Sequence, residues 1–265
     1  MFFFRYNLLM NQEKHIERLD KILVNSGFGS RKDVRRILRS GSVAINGNVV
    51  YNFDEHVDID SSSITVDGKI LQIDWHCYLM LNKPKGYVCS SKSGIYPTVW
   101  DLLNEEDYHK YLGGELSCVG RLDLDTEGLL FLTTDGTLNH KLTSPKYRVP
   151  KTYFVQLEKT VSVSEQNRYT QELKNGIFIP SDGKEEAVDC LPADCVWKDF
   201  KEARECELTV YEGKFHEVKR MFLALGNSVI YLKRISMGGV SLDQSLQAGQ
   251  TRKLTNSELS ILMNY

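Results

Sequence analysis

The hydrophobic pattern near the start of the chain predicts two short helices. Leu19, Ile22 and Leu23 recur at helical spacing and indicate the first helix. Ser30, followed three residues later by Asp33, has the spacing of a capping box, so a second helix is expected to begin there. Residues 42–51 then alternate around Asn46-Gly47, which predicts a hairpin.

From residue 78 onward the pattern is that of repeated strands with two helices. Strands are predicted on both sides of a turn at residues 83–86, and at residues 129–136, 151–159, 207–211 and 228–235. Helices are predicted at about residues 164–174 and 215–225. Because the strands outnumber the helices and do not alternate with them regularly, the expected fold is α+β, with a mixed, mainly antiparallel β-sheet flanked by helices.

These patterns predict two domains. Residues 15–65 form a small N-terminal domain, residues 66–76 a polar linker, and residues 77–265 a larger domain. Residues 1–14 precede the first patterned helix and are expected to be a disordered extension, in which Met10 is an alternative start codon to Met1.

Charge sets the N-terminal domain apart. The whole chain has a net charge of -2, but residues 14–50 contain eight basic residues against three acidic ones. In the second predicted helix, Arg31, Arg35 and Arg39 recur every four residues along a different face from the apolar positions, a spacing that suits a phosphate backbone. The candidate nucleic-acid contacts in this domain are Arg18, Lys21, Arg31, Lys32, Arg35, Arg36 and Arg39.

Composition narrows the function class further. Hydrophobic residues make up 42% of the chain, which excludes a disordered protein, and no apolar stretch approaches the ~20 residues of a membrane span. The six cysteines include no CxxC pair, so they are expected to be reduced, without a metal site. We therefore expect a cytoplasmic, monomeric protein.

An acidic loop at residues 120–128 is the densest cluster of candidate chemistry. Asp123, Asp125 and Glu127 lie within five residues, framed by Gly120 and Gly128, directly before a predicted buried strand. Besides one catalytic carboxylate, three alternatives stay open on the residues alone: solvated surface acids, a divalent-cation loop, and a carboxylate pair of the glycosidase kind.

Several stretches of the sequence resemble two known families. The run RLDKILVNSGFGSRKDVRRILRSGSVAINGNVV is similar to the alpha-L RNA-binding motif. The run GRLDLDTEGLLFLTTDG resembles the signature G-R-L-D-x-x-T-x-G-L of the pseudouridine synthases, in the RsuA branch, and so do the stretches YLMLNKPKGYVCS, TSPKYRVPKTYFV and EGKFHEVKRMFLALGNSVIYLKRISMGGVSLD.

The resemblance implies an enzyme that isomerises uridine to pseudouridine in RNA without a metal or cofactor. It places the catalytic aspartate, a nucleophile, at Asp123 and a basic partner at Lys219. It also places at Tyr153 a tyrosine that lines the active site, where it stacks on uracil and assists proton removal. Arg121 falls where a residue could extrude the target base from its stack.

Helical spacing supports the position of Lys219. In the predicted helix Val218, Met221, Phe222 and Leu225 share a core face, Lys219 lies at its edge, and Arg220 points away. Further candidate RNA contacts in this domain are Lys83, Lys85, Arg121, Arg148, His216 and Arg220.

The substrate class follows from the resemblance alone. Relatives modify small-subunit or large-subunit ribosomal RNA, and several large-subunit enzymes have a long basic C-terminal extension. Because this sequence ends at Tyr265 and contains LNKPKGYVCS and KTYFV, small-subunit (16S) ribosomal RNA or a ribosomal precursor particle is the expected partner. The alternatives are large-subunit (23S) RNA, a non-catalytic ribosome-assembly factor, and a metal-dependent nucleic-acid hydrolase.

Overall fold

The computed structural model describes residues 15–71, 73, 75–90, 94–103, 115–181, 186–199 and 201–265. The predicted N-terminal extension over residues 1–14 lies outside these residues. The chain divides into two compact units, one that contains residues 15–77 and one that contains nearly all described residues from Tyr78 onward. None of the helices in these ranges is long and apolar enough to cross a bilayer.

Over its described residues, the N-terminal unit contains two helices and six short strands. The helices are α1 (Leu19–Asn25) and α2 (Arg31–Arg39), and the strands are β1 (Ile16–Arg18), β2 (Val43–Ile45), β3 (Asn48–Val49), β4 (His56–Asp58), β5 (Ile64–Val66) and β6 (Lys69–Ile70). The strands form an antiparallel sheet in the order β3-β2-β5-β6 and a separate β1-β4 pair.

The local signals in this unit act as predicted. Ser30 and Asp33 form the reciprocal hydrogen bonds of a capping box at the start of α2. Asn46 and Gly47 both have positive φ angles, which the tight turn between β2 and β3 requires.

The segment interpreted as a linker, residues 66–76, is folded over much of its length. It contributes the end of β5 and the whole of β6, and Leu71, Ile73 and Trp75 pack against the core of the N-terminal unit. These three apolar side chains occur at every second residue, which is typical of an extended chain with one buried face. This spacing explains why the segment is folded and does not form a linker.

The larger unit contains the other four helices and eleven strands of the described chain. Its helices are α3 (Gly136–Thr143), α4 (Val163–Asn175), α5 (Glu217–Ala224) and α6 (Asn256–Met263), with short 3-10 helices at Val99–Leu102 and Pro145–Tyr147. Its strands are β7 (Tyr78–Lys83), β8 (Ser117–Cys118), β9 (Glu127–Thr133), β10 (Lys151–Ser162), β11 (Phe178–Ile179), β12 (Val188–Asp189), β13 (Asp194–Trp197), β14 (Glu202–Val210), β15 (Val229–Met237), β16 (Val240–Ser241) and β17 (Thr251–Lys253).

Nine of these strands form one mixed sheet. Its order is β13-β14-β10-β15-β9-β7-β17, with β16 on β15 and β8 on β9, while β11 and β12 form a separate pair. Strands β15 and β9 are parallel, and the other paired strands in the described ranges are antiparallel. The α+β prediction with a mainly antiparallel sheet is confirmed.

One local prediction for this unit is wrong, and another is incomplete. The chain after the turn at residues 83–86 forms no second strand, only a bridge between Val88 and Thr98. The pair Asp135-Gly136, interpreted as the end of a strand, also begins helix α3, because the Asp135 carboxylate accepts a hydrogen bond from the Leu138 N–H. Asp is a preferred N-cap residue, so Asp135 caps a helix that begins directly after the strand.

The parallel junction of β9 and β15 depends on one glycine. Gly128 pairs with Arg234 across the junction and has a φ of +99°. A Cβ atom at this position would lie 2.3 Å from the backbone oxygen of Arg234. The two strands therefore approach more closely than any side chain permits.

Replacing Gly128 with alanine should destabilise the larger unit. The methyl group would clash with backbone and favour a different φ, so we expect Gly128→Ala to lower the free energy of unfolding by about 3 kcal/mol. Gly136→Ala is the control, because nothing lies within 4 Å of its Cβ position. Denaturant unfolding measures both, and equal stability of the two variants would contradict the close approach.

Candidate active site

One cavity of about 560 Å³ in the larger unit brings together most of the candidate catalytic residues. Its lining comes from the acidic loop before β9, from the inner faces of β10 and β15, and from the start of α5. Asp123, Tyr153 and His216, which lie far apart in the sequence, all line it.

Asp123 and Lys219 form an ion pair at this cavity. The Lys219 Nζ lies 3.1 Å from Asp123 Oδ2 and 2.5 Å from Asp125 Oδ1, so it bridges the two carboxylates. Val218, Met221 and Phe222 of the same helix are buried, as the helical spacing predicted. The burial of these neighbours turns Lys219 toward the loop, where it meets Asp123.

The bridge between the carboxylates keeps Lys219 charged. Burial lowers its pKa, but the hydrogen bonds to Asp125 and Asp123 outweigh burial and raise the pKa above its ordinary value. Burial acts in the opposite direction on Asp125, where it tends to raise the pKa. The hydrogen bond from Lys219 outweighs burial, so the pKa of Asp125 lies below its usual range. Asp125 is 69% exposed, whereas the Asp123 side chain is 28% exposed. Asp123 is therefore the more enclosed carboxylate of the two.

Lys83 does not contact RNA, and that prediction is wrong. Its side chain is fully buried, and its Nζ donates hydrogen bonds to three backbone oxygens: Pro84 at 3.1 Å, Asp123 at 3.0 Å and Thr126 at 2.8 Å. Burial lowers the pKa of Lys83. No phosphate can reach this ammonium group, which instead fixes the backbone on both sides of the acidic loop.

The chain that follows Lys83 braces the same loop. The Gly86 N–H donates to the Leu124 oxygen at 2.7 Å, and the Leu122 N–H donates to Cys89 Sγ at 3.4 Å. Together with Lys83, these contacts fix the backbone of residues 122–126, and therefore the direction in which the Asp123 carboxylate points.

Tyr153 lies on the inner side of the cavity beside two cationic residues that the sequence analysis did not single out. In the register of β10 and β15, Tyr153 stands opposite Arg234, and Lys151 shares its face of β10. For Lys151 the sequence held a signal, because the period-two pattern of β10 places it on the same face as Tyr153, Val155 and Leu157, and the structure buries this face. Burial raises the pKa of the Tyr153 hydroxyl.

The remaining predicted contacts in this unit are accessible to different degrees. Arg121, Lys85, Arg148 and His216 are exposed, and Arg121 and His216 line the cavity. The His216 Nε2 lies 3.6 Å from Asp123 Oδ1. Arg220 is half-buried and donates to the backbone oxygen of Glu186 at 2.9 Å.

In the N-terminal unit, the predicted stripe is accessible to solvent. Arg31, Arg35 and Arg39 are exposed, as are Lys32 and Arg36. The Arg35 guanidinium lies 4.2 Å from the centre of the Phe53 ring, and two other candidates pair with acids, Arg18 with Asp20 and Lys21 with Glu17.

A second cluster, of Cys190, Glu212 and Glu217, lies at the edge of the cavity. The three side chains are buried and place one potential ligand atom each within 4.8 Å of one another. Lys214 Nζ, however, already lies 2.7 Å from Glu212 Oε2. Burial and the neighbouring Glu212 raise the pKa of Glu217 to about 7, so the two carboxyl groups hold one proton between them below neutral pH.

Comparisons with known proteins match both units. The larger unit matches the family described as RNA pseudouridylate synthase over residues 77–224, and the N-terminal unit matches the S4 domain over residues 17–52. The chain is 43% identical to an RNA pseudouridine synthase of Bacillus subtilis, YtzG, over 92% of this chain and 98% of that one. It is 38% identical to ribosomal small subunit pseudouridine synthase A of Haemophilus influenzae, over 93% and 99% of the two chains.

A solved structure agrees with these matches. The crystal structure of a pseudouridylate synthase superimposes with a TM-score of 0.61 at 36% identity, and covers 92% of this chain and 99% of the other.

Removing the Lys83 ammonium should destabilise the protein. Lys83→Met leaves three buried backbone oxygens without their donor, and we expect a loss of about 3 kcal/mol in the free energy of unfolding. Lys85→Met, two residues away and exposed, should change stability by less than about 0.5 kcal/mol. Denaturant unfolding compares the two, and a Lys83 variant as stable as the Lys85 variant would refute the bracing role.

Glu217→Gln should stabilise the protein above neutral pH. The pKa of Glu217 is about 7 in the folded state against 4.5 for the free side chain, so the folded protein holds the extra proton between these values. Stability therefore falls as pH rises through this window, and glutamine, which mimics the protonated acid, avoids that cost. The variant should melt several degrees higher at about pH 8 and equally at about pH 4.

Glu258→Gln is the control of opposite sign for this experiment. The hydrogen bond from Arg252 lowers the pKa of Glu258 to about 2, so this carboxylate stabilises the folded state above the unfolded pKa. Its replacement should lower the melting temperature at about pH 8. Melting curves of the Glu217 variant that run parallel to those of the unmodified protein at every pH would contradict the shared proton.

Proposed function

The chain belongs to the RNA pseudouridylate synthase family, and on that premise we propose that it isomerises a uridine of small-subunit (16S) ribosomal RNA with Asp123 as the catalytic nucleophile. It is thus an isomerase that acts on RNA and has an N-terminal S4 domain. The relatives named as small-subunit enzymes support the choice of 16S RNA. The observation on which the role of Asp123 rests is its ion pair with Lys219 at the cavity.

The reaction explains what the cavity must provide. The bond between ribose C1′ and uracil N1 breaks, the base turns, and a new bond forms between C1′ and C5 of the ring. The C5 proton leaves and N1 takes up a proton, so the product is an isomer of the substrate. This sequence needs a carboxylate beside the ribose and an enclosure for the base, and it needs no redox cofactor.

Asp123 suits the ribose side of this reaction. Its Oδ2 is held by Lys219, and its backbone oxygen is held by Lys83, so the carboxylate is fixed at the cavity before substrate arrives. A carboxylate in this position attacks the sugar or the ring while the Lys219 ammonium group pairs with it.

Tyr153 suits the base side. Its ring forms part of the cavity lining, where it offers an aromatic face to uracil. Burial raises the pKa of the hydroxyl, so the phenol stays protonated at neutral pH. This favours stacking and hydrogen-bond donation by Tyr153 over the removal of a proton from the ring.

Arg121 and the N-terminal unit account for RNA binding. Arg121 is exposed and lines the cavity next to Leu122 and Asp123, which supports a role in extruding the target uridine from its stack. The spacing of Arg31, Arg35 and Arg39 along their helix suits contact with a phosphate backbone. The enzyme then works in the cytoplasm as a monomer on ribosomal RNA or a precursor particle.

Asp123→Asn should abolish isomerisation and leave RNA binding intact. The amide keeps the shape of the side chain but cannot act as a nucleophile, so we expect activity below about 1% of the unmodified enzyme. The assay incubates the enzyme with 16S and 23S RNA transcripts and maps pseudouridine in each.

The matched control is Asp125→Asn, which removes the more exposed carboxylate and should retain measurable activity. Equal loss at both positions would revive a two-carboxylate mechanism. Pseudouridine in the 23S transcript alone would assign the enzyme to the large subunit. Binding without pseudouridine in either RNA would instead indicate a non-catalytic assembly factor.

A further inference from the structure

Arg234 is a fully buried cation without a carboxylate partner. Its side chain is 1% exposed, its Nε donates to the Leu129 backbone oxygen at 2.7 Å, and its Nη2 has no hydrogen-bond partner. Within the described ranges, no carboxylate oxygen lies within ion-pair distance of this guanidinium. Arg234 stands opposite Tyr153 in the β10–β15 pair, and its charge acts to lower the pKa of the Tyr153 hydroxyl against the larger effect of burial.

Lys151 adds a second buried positive charge on the same side of the cavity. It is 6% exposed, and its Nζ donates to the Val149 backbone oxygen at 3.2 Å. Burial, and after it the charge of Arg234, lowers the pKa of Lys151 to about 8, against the opposing effect of Glu217 and Glu212. At neutral pH the group is therefore still largely protonated.

Burial of these two positive charges costs free energy unless a negative charge compensates them. Transfer of an unpaired charge into a protein interior costs several kcal/mol, and native proteins rarely leave a buried donor without an acceptor. Both cations line the cavity that contains Asp123 and Tyr153. The missing negative charge is therefore expected to come with the substrate.

The reaction produces a negative charge in this place. When the bond between C1′ and N1 breaks, its electron pair stays with the base, which becomes an anion delocalised over N1, O2 and O4. The ribose fragment, which loses that electron pair, faces Asp123. The charge on the base disappears again when the ring bonds to C1′ through C5, C5 loses its proton and N1 gains one.

We propose that Arg234, assisted by Lys151, stabilises uracil as an anion while the base is detached from ribose, by donating hydrogen bonds to a carbonyl oxygen of the ring. This inference rests on the proposed function. Tyr153, which stands opposite Arg234 and lines the same cavity, keeps its hydroxyl proton at neutral pH and is a further donor for the detached base. Donors fixed before the reaction stabilise developing charge without reorganisation, which makes them effective in catalysis.

A change of leaving group tests this role. Fluorine at C5 withdraws electrons and makes the uracil anion more stable, so bond breaking in 5-fluorouridine depends less on an external cation. The 16S fragment identified by mapping is transcribed with uridine or with 5-fluorouridine triphosphate. The single-turnover loss of the nitrogen-linked nucleoside is then measured by chromatography of the digested RNA.

Arg234→Met should lose about 100-fold or more in rate on the uridine RNA. On the 5-fluorouridine RNA the loss should be at least about tenfold smaller. Arg234→Lys, which retains the charge, should lie between this variant and the unmodified enzyme. A structural arginine would slow both substrates by the same factor.

Leu232→Ala is the matched control. Leu232 lies two residues away on the same face of β15 and lines the same cavity, but it carries no charge, so its loss should slow both RNAs equally. Thermal unfolding verifies that each variant is folded. If Arg234→Met does not fold, Arg234→Lys and Lys151→Met take its place and should show the same preference for 5-fluorouridine.

Equal rate losses on the two RNAs in the folded variants would overturn the proposal. An unmodified enzyme that converts neither RNA would instead refute the proposed function, so the two failures are distinguishable.

Discussion

The candidate active site depends on the ammonium group of Lys83. Lys83 is the last residue of strand β7. Its ammonium group lies under the acidic loop and donates hydrogen bonds to the backbone oxygens of Asp123 and Thr126. Because one ammonium group donates to both oxygens, Asp123 and Thr126, at the two ends of the turn, are held at a fixed separation. Asp123 thus receives its position from a lysine that no substrate contacts, and Lys219 needs only to supply a counter-charge to a carboxylate already in place.

Charge is distributed unevenly across the cavity. Lys219, Asp123 and Asp125 form an ion-pair network on the accessible side, where water screens part of each interaction. Lys151 and Arg234 lie on the enclosed side, where screening is weak and the same charges act more strongly. A substrate that becomes positive at the sugar and negative at the base fits this polarity from end to end.

Local signals made much of this predictable. The spacing of Val218, Met221 and Phe222 predicted the orientation of Lys219. The capping box and the Asn46-Gly47 turn were predictable because each involves residues only a few positions apart in the sequence. Lys83 was misassigned because its acceptors lie about 40 residues later in the chain. Arg234 was missed because its significance depends on which strand stands opposite, and the insertion of β15 between β10 and β9 is set by the packing of the whole sheet.

The position of β15 also constrains how the chain folds during synthesis. This strand belongs to the last 40 residues or so of the sequence, yet it lies between β10 and β9 in the middle of the sheet. Until Val229–Met237 leaves the ribosome, β9 and β10 each have an unsatisfied edge, and such edges are prone to pair with other chains. Because the junction is also long-range in sequence, its formation is slow, and the nascent protein depends on protection of these edges until β15 is available.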